Sequence, residues 1–187
     1  MDAVLLPYRA MAHNNAWANQ RLLSACALLS QADFVAARTG FFPSLRVTLN
    51  HILMIDRFYV DAMEGGTLGP AAWADREPCE TAIALRTAQR EVDRRLLAVV
   101  ERLDAAALND IVEIHRGDRI QRERMDRLLL HLFQHQIHHR GQAHAMLSAT
   151  EVAPPQLDEF YSEHYYFRLR IILTVLYILR IGWRRMV

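Results

Sequence analysis

The stretch HLFQHQIHHRGQAH, His131 to His144, holds five of the chain's nine histidines in fourteen residues. On an α-helix at roughly 100° per residue, His131, His135, His138 and His139 share one arc about 100° wide. Gln142 points the same way, and His144 points almost opposite. Leu128, Leu132 and Met146 flank the arc, so it is expected to face an interior. A buried imidazole needs a hydrogen-bond partner or a metal, and four together favour a metal.

Spacing limits which of them can act together. Residues four apart lie one turn above each other, so His135 can share an ion with His139 or with His131. His131 and His139 are two turns apart, about 12 Å along the axis, and cannot join the same ion with it. Gln136 follows His135. The HExxH pattern with its glutamate base is therefore missing, and a zinc peptidase reading loses its support.

Composition narrows the class. The chain has 187 residues, 52% hydrophobic, with a net charge of +1. That suits one soluble domain with a real core and gives no electrostatic case for nucleic acid. All 22 basic residues are arginine, so Schiff-base chemistry and a Walker-type phosphate lysine are excluded. Cys26 and Cys79 are too few for a disulfide framework. The first residues show no secretory leader pattern. These features predict a cytoplasmic protein.

Working outward from the histidines, apolar periodicity predicts a first helix over Ala3–Leu29. Tyr8, Met11, Asn15, Leu22, Cys26 and Leu29 form its inner stripe. Asn14 and Asn19 read as solvated, Asn15 as inward and Trp17 as core, with Ser30 capping a short turn. A second helix, Ser44–Met63, carries Val47, His51, Ile55 and Phe58 in one row. His51 therefore looks inward, while Asp56 and Arg57 read as exposed or paired on their own helix. Gly65, Gly66, Gly69, Pro70 and Pro78 then mark a crossover. A third helix is expected over Glu80–Arg102, with Ile83, Val92, Leu96, Val99 and Leu103 inside. Its charges (Arg86, Arg90, Glu91, Asp93, Arg94, Arg95) are expected to form a solvated face.

Ile111 to Ile120 reads as a small β-hairpin turning at Arg116-Gly117-Asp118. In this setting the RGD tripeptide is a turn and not an adhesion motif. The histidine helix is expected from Arg122 to Ser148, and Pro154-Pro155 ends the regular part. Ile171 to Leu179 is uncharged but too short to span a bilayer, which needs about 20 residues. The segment 168–187 is expected to be a closing helix, buried against the bundle or against a second copy.

Several stretches resemble the DinB family, also called the DinB/YfiT-like metalloenzymes. They are NNAWANQRLLSACALLS (14–30), TLNHILMIDRFYV (48–60), IHRGDRIQRERMDRLLLHLFQHQIHHRGQAHAML (114–147) and PPQLDEFY (154–161). HQIHHRGQ is the most specific part, and the likeness covers about residues 8–161; 162–187 is atypically apolar. The resemblance implies an all-α, up-down-down-up four-helix bundle with a hairpin before its fourth helix, often dimeric. It also implies a divalent metal (Zn, Ni, Fe or Mn) on His51, His135 and His139.

Relatives in the wider superfamily are transferases or isomerases that use bacillithiol, mycothiol or glutathione. The expectation is thus one domain over 1–187, a homodimer, acting as a metal-dependent transferase through a low-molecular-weight thiol. A metal-dependent hydrolase and a non-catalytic, damage-inducible metal-binding protein are the alternatives. Asn15, His131, His138 and Asp158 are candidates to surround the metal ligands.

Overall fold

The breaks read from sequence are where the helices end. The computed structural model describes residues 2–158 and 160. The chain falls into two compact units, 1–155 and 156–187, and the bundle is the first. The expected closing helix at 168–187 lies outside the described residues.

Helix α1 (Leu6–Cys26) follows a 3-10 turn at Ala3–Leu5. Pro7 sits in its first turn, where the missing N–H costs nothing. Helix α2 (Gln31–Val35) is the short turn whose Asp33 N–H is capped by Ser30 Oγ at 3.1 Å. Helix α3 (Leu45–Met63) starts where Ser44 Oγ accepts from Val47 N–H at 3.2 Å. It ends at Gly65, whose φ of 81° suits glycine. Helix α4 (Ala82–Arg102) is capped by Thr81, and helix α5 (Met125–Leu147) carries the histidines.

Antiparallel strands β1 (Ile111–His115) and β2 (Ile120–Arg124) precede α5, with His115 opposite Ile120 and Ile111 opposite Arg124. The second strand therefore runs on to Arg124, and α5 begins three residues later than the sequence suggested. Only β1 alternates buried with exposed positions, so β2 has no apolar signal to betray it.

Side-chain pairs give the helix directions. Arg9 meets Glu101 and Asn19 meets Asp93, so α1 and α4 run antiparallel. Asn50 meets Cys79 just before α4, and Glu64 meets Arg95, so α3 and α4 run parallel. Thr48 meets Met146 and Tyr59 meets His131, so α3 and α5 run antiparallel. The result is an up-down-down-up four-helix bundle. A parallel α3–α4 pair needs a crossover along the bundle, which residues 64–81 supply through the 3-10 turn Gly69–Trp73.

Leu22, Leu53, Leu85, Leu96, Leu129 and Leu132 from all four long helices form a common core. Several expectations fail at its edge. Ile83 is 59% exposed, outside the core. Asn19, Asp56 and Asp93 are buried instead of solvated. No helix among the described residues is long and apolar enough to cross a membrane.

Candidate metal centre

The antiparallel pairing of α3 and α5 brings His51 opposite the His135–His139 row. One ring nitrogen from each of the three lies within 4.8 Å of the others. His51 Nε2 and His135 Nε2 are 3.0 Å apart. Three nitrogens around one ion, each about 2.0–2.2 Å from it, require a cluster of about this size.

The protonation states also fit. Burial, and then the neighbouring His139, push His51 down to about 4. Burial and the surrounding imidazoles push His135 down to about 3. Burial lowers His139 as well, against the opposing effect of its bond to Gln142. Neutral imidazole is the form a metal needs. His135 turns Nε2 toward His51, while its Nδ1, on the other side of the ring, is buried with no hydrogen-bond partner among the described residues.

Gln142 has a role that its place in the motif did not reveal. His139 Nδ1–H donates to its Oε1 at 2.9 Å, one turn along α5, which leaves His139 Nε2 as the free lone pair. The Gln142 amide nitrogen donates to His138 Nε2 at 3.1 Å. His138 is thus two bonds from the triad, and it is exposed, as is His131. The expected arc was too wide: only its His135–His139 edge is covered, and His131 and His138 stand at the exposed border. His131 remains adjacent, its ring 6.4 Å from that of His135. His144 faces away and bonds to the Pro155 carbonyl at 2.9 Å. Asp158 lies in the second unit, where its side chain accepts from Phe160 N–H.

The break at Gly40–Pro43 supplies the other wall. Gly40 lies against the end of the Met146 side chain, which brings the loop onto α5. Phe42 then sits 4.5 Å from the His51 ring and 5.4 Å from that of His139. Phe41 stands beside His139, 76% exposed.

One residue after His135 and one after His139, Gln136 and Arg140 enter a second polar cluster. Arg140 donates to Asn15 Oδ1 at 2.7 Å and to Asn19 Oδ1 at 2.8 Å. Both asparagine amides donate onward to Asp93 Oδ1. Gln89 donates to Asp56 at 2.6 Å and to Asp93 at 3.2 Å, and Gln136 also donates to Asp56. All seven side chains are buried. Asn15 therefore points inward as read, but toward this cluster. Burial, and then the Asp93 charge, push Asp56 up to about 8. Burial raises Asp93 to about 7, and lowers Arg140 to about 10 against the pull of both carboxylates.

Neither cysteine offers a nucleophile: both are free and buried, with Cys26 pushed up to about 12 by burial.

The model of the DinB family matches residues 2–167. A crystal structure of a DinB-like protein from Bacillus cereus is 16% identical, with a TM-score of 0.59 over 76% of this chain and 89% of that one. A second, from Bacillus subtilis, is 17% identical, with a TM-score of 0.59 over 81% and 98%. These likenesses support the fold. No curated protein matches the chain.

Proposed function

Given that the chain belongs to the DinB family, we propose that His51, His135 and His139 hold a divalent metal and that the protein transfers a low-molecular-weight thiol to an electrophile. The observation that carries the reading is the grouping of three neutral imidazole nitrogens within 4.8 Å. Three protein ligands leave coordination open to a small molecule, as catalytic sites do and closed structural sites do not. When bound, a divalent metal lowers the pKa of a coordinated thiol or water.

The chain's own groups do the rest. Gln142 fixes the His139 tautomer. The Phe41–Phe42 wall shields one side from water and offers apolar surface to an electrophile. His131, exposed and one turn from His135, takes the thiol proton. Sulfur then forms a bond to the electrophilic carbon, and the leaving group departs with its electron pair. The buried cysteines make an external thiol the better sulfur source.

The test begins with elemental analysis of protein purified without a histidine tag. Turnover of a chromogenic aryl halide follows, with and without an added thiol and with and without a chelator. Turnover needing both metal and thiol supports the transferase. Metal-dependent hydrolysis of an ester without thiol, and no thiol-dependent turnover, overturns it.

A further inference from the structure

The hairpin turn has a function beyond closing two strands. Gly117 takes φ 98° and Gly69 φ 51°, which allow the turn to sit against the crossover. A Cβ on Gly117 would lie 3.2 Å from Pro70, and one on Gly69 would lie 3.1 Å from the His115 carbonyl. Glycine at both points lets two loops touch, and the residue held by that contact is Arg116.

Arg116 folds back under the hairpin onto α3. Its guanidinium lies 4.9 Å from the Phe58 ring centroid and 5.7 Å from that of Tyr59. Nε–H donates to Gln121 Oε1 at 2.9 Å, and Nη2–H donates to the Tyr59 hydroxyl at 3.2 Å. Both acceptors are neutral. Two of the guanidinium's five N–H groups are thus used, and among the described residues no carboxylate pairs with it.

Below it is a cavity of about 220 Å³, walled by Tyr59, Arg116, Gln121, Glu123, Arg127 and His131. The one carboxylate in that wall is already engaged: Glu123 pairs with Arg127 at 3.0 Å and accepts from Gln121 at 2.8 Å. His131 links cavity and triad, its ring 5.2 Å from that of Tyr59 and 6.4 Å from that of His135.

We propose that this cavity anchors the anionic end of the substrate: a small organic acid docks its carboxylate on Arg116 while its other end reaches His51, His135 and His139. The inference rests on the metal-centre reading and adds a substrate class to it. A guanidinium with three N–H groups unused and only neutral acceptors on the other two matches a carboxylate in both charge and shape. Its stacking on two aromatic rings holds the fork in place before the ligand arrives.

The experiment uses the full-length protein loaded with Co²⁺, whose thiolate charge-transfer absorption reports sulfur at the metal. The probes are ω-mercaptoalkanoates from 3-mercaptopropionate to 8-mercaptooctanoate, each paired with the alcohol of the same length. One member of the series, long enough to pass His131, should bind at least about tenfold tighter than its alcohol, the scale of a charge-assisted bidentate contact. Arg116→Gln should erase that preference and leave the alcohol unaffected; Arg116→Lys, which keeps the charge, should retain part of it.

Equal binding of acid and alcohol at every length overturns the proposal while leaving the metal centre standing. So does an Arg116→Gln change that weakens both alike, because Arg116 would then only support the fold. A matching phosphonate that binds tighter than the carboxylate overturns the assignment of ligand class. Failure to take up cobalt overturns the metal reading, and this one with it.

Discussion

His135 and His139 point from α5 toward His51, whereas Gln136 and Arg140, each one residue later, point into the centre of the bundle. The two rows share a helix and differ in what meets them. The outer row meets half-exposed imidazole and aromatic rings, and His135 turns its Nε2 to that of His51 at 3.0 Å. The inner row meets amides and carboxylates from α1, α3 and α4, with Asp56 Oδ1 and Gln89 Oε1 the oxygens of that cluster left without a donor among the described residues. The outer row is available to a ligand and the inner row is committed to the fold. A helix bound by both has one permitted rotation, because turning it by a single residue would strand a charge in the core and swing an imidazole off the site.

The sharpest way to break this comparison is His135→Ala. It should abolish metal binding by elemental analysis while changing the stability of the metal-free protein by less than about 1 kcal/mol, since it removes a desolvated ring with an unsatisfied nitrogen. His144→Ala, on the opposite side, should keep the metal. Equal loss in both would mean that the outer row is not a site.

Arg140→Ala comes next. It leaves the Asn15 and Asn19 side-chain oxygens without their donor and Asp93 without the nearby cation, and should cost about 3–5 kcal/mol in urea unfolding, the scale of stranding buried polar and charged groups. A cost no larger than that of His135→Ala would erase the distinction between the rows.

Gln142→Ala tests the outer row alone. Freeing His139 to turn should weaken metal affinity by about 10- to 100-fold, with little change in the melting temperature of the metal-free protein. Competition with a chromogenic chelator reads the affinity directly.

The inner row also carries a pH dependence. Asp56 is raised to about 8, against an ordinary value of about 3.9. The folded state then holds its proton where the unfolded chain has lost it. Stability from this group falls as pH rises from about 4 to about 8, by at most about 1.4 kcal/mol per pH unit. Asp56→Asn removes that dependence. Urea melts at pH 5.5 and 8 should therefore show the variant gaining on wild type at the higher pH. A constant difference would place Asp56 ionised in the core.

Sequence exposed one of these rows and hid the other, for a physical reason. His135 and His139 carry their own signal, because imidazoles four apart on an apolar helix are rare without a purpose. Asp56, Asp93 and Asn19 look like surface residues until Arg140 is known to be buried among them. That knowledge needs three other helices in place. The same limit applies to Phe41 and Phe42: a Gly–Pro break is legible, but not which helix the broken segment lies on. Gln142 was legible as a motif member, and its hydrogen bond to His139 follows only once the ring's rotation is set. Ile83 shows the converse, an apolar residue at core spacing in the first turn of α4, where the neighbouring helices do not cover it.

The antiparallel meeting of α3 and α5 joins His51 to His135, positions 84 apart in the chain. An ion bound there is a cross-link that closes a long loop containing all of α4 and the hairpin. Closing such a loop restricts the unfolded chain more than closing a short one, although the dependence is only logarithmic. During synthesis, the nascent chain has offered only one of the three ligands by the end of α4, and the pair on α5 arrives after the hairpin. Capture of a metal by the proposed site would thus come late in assembly, and its release during unfolding would report the separation of α5 from α3, whatever the remaining helices are doing.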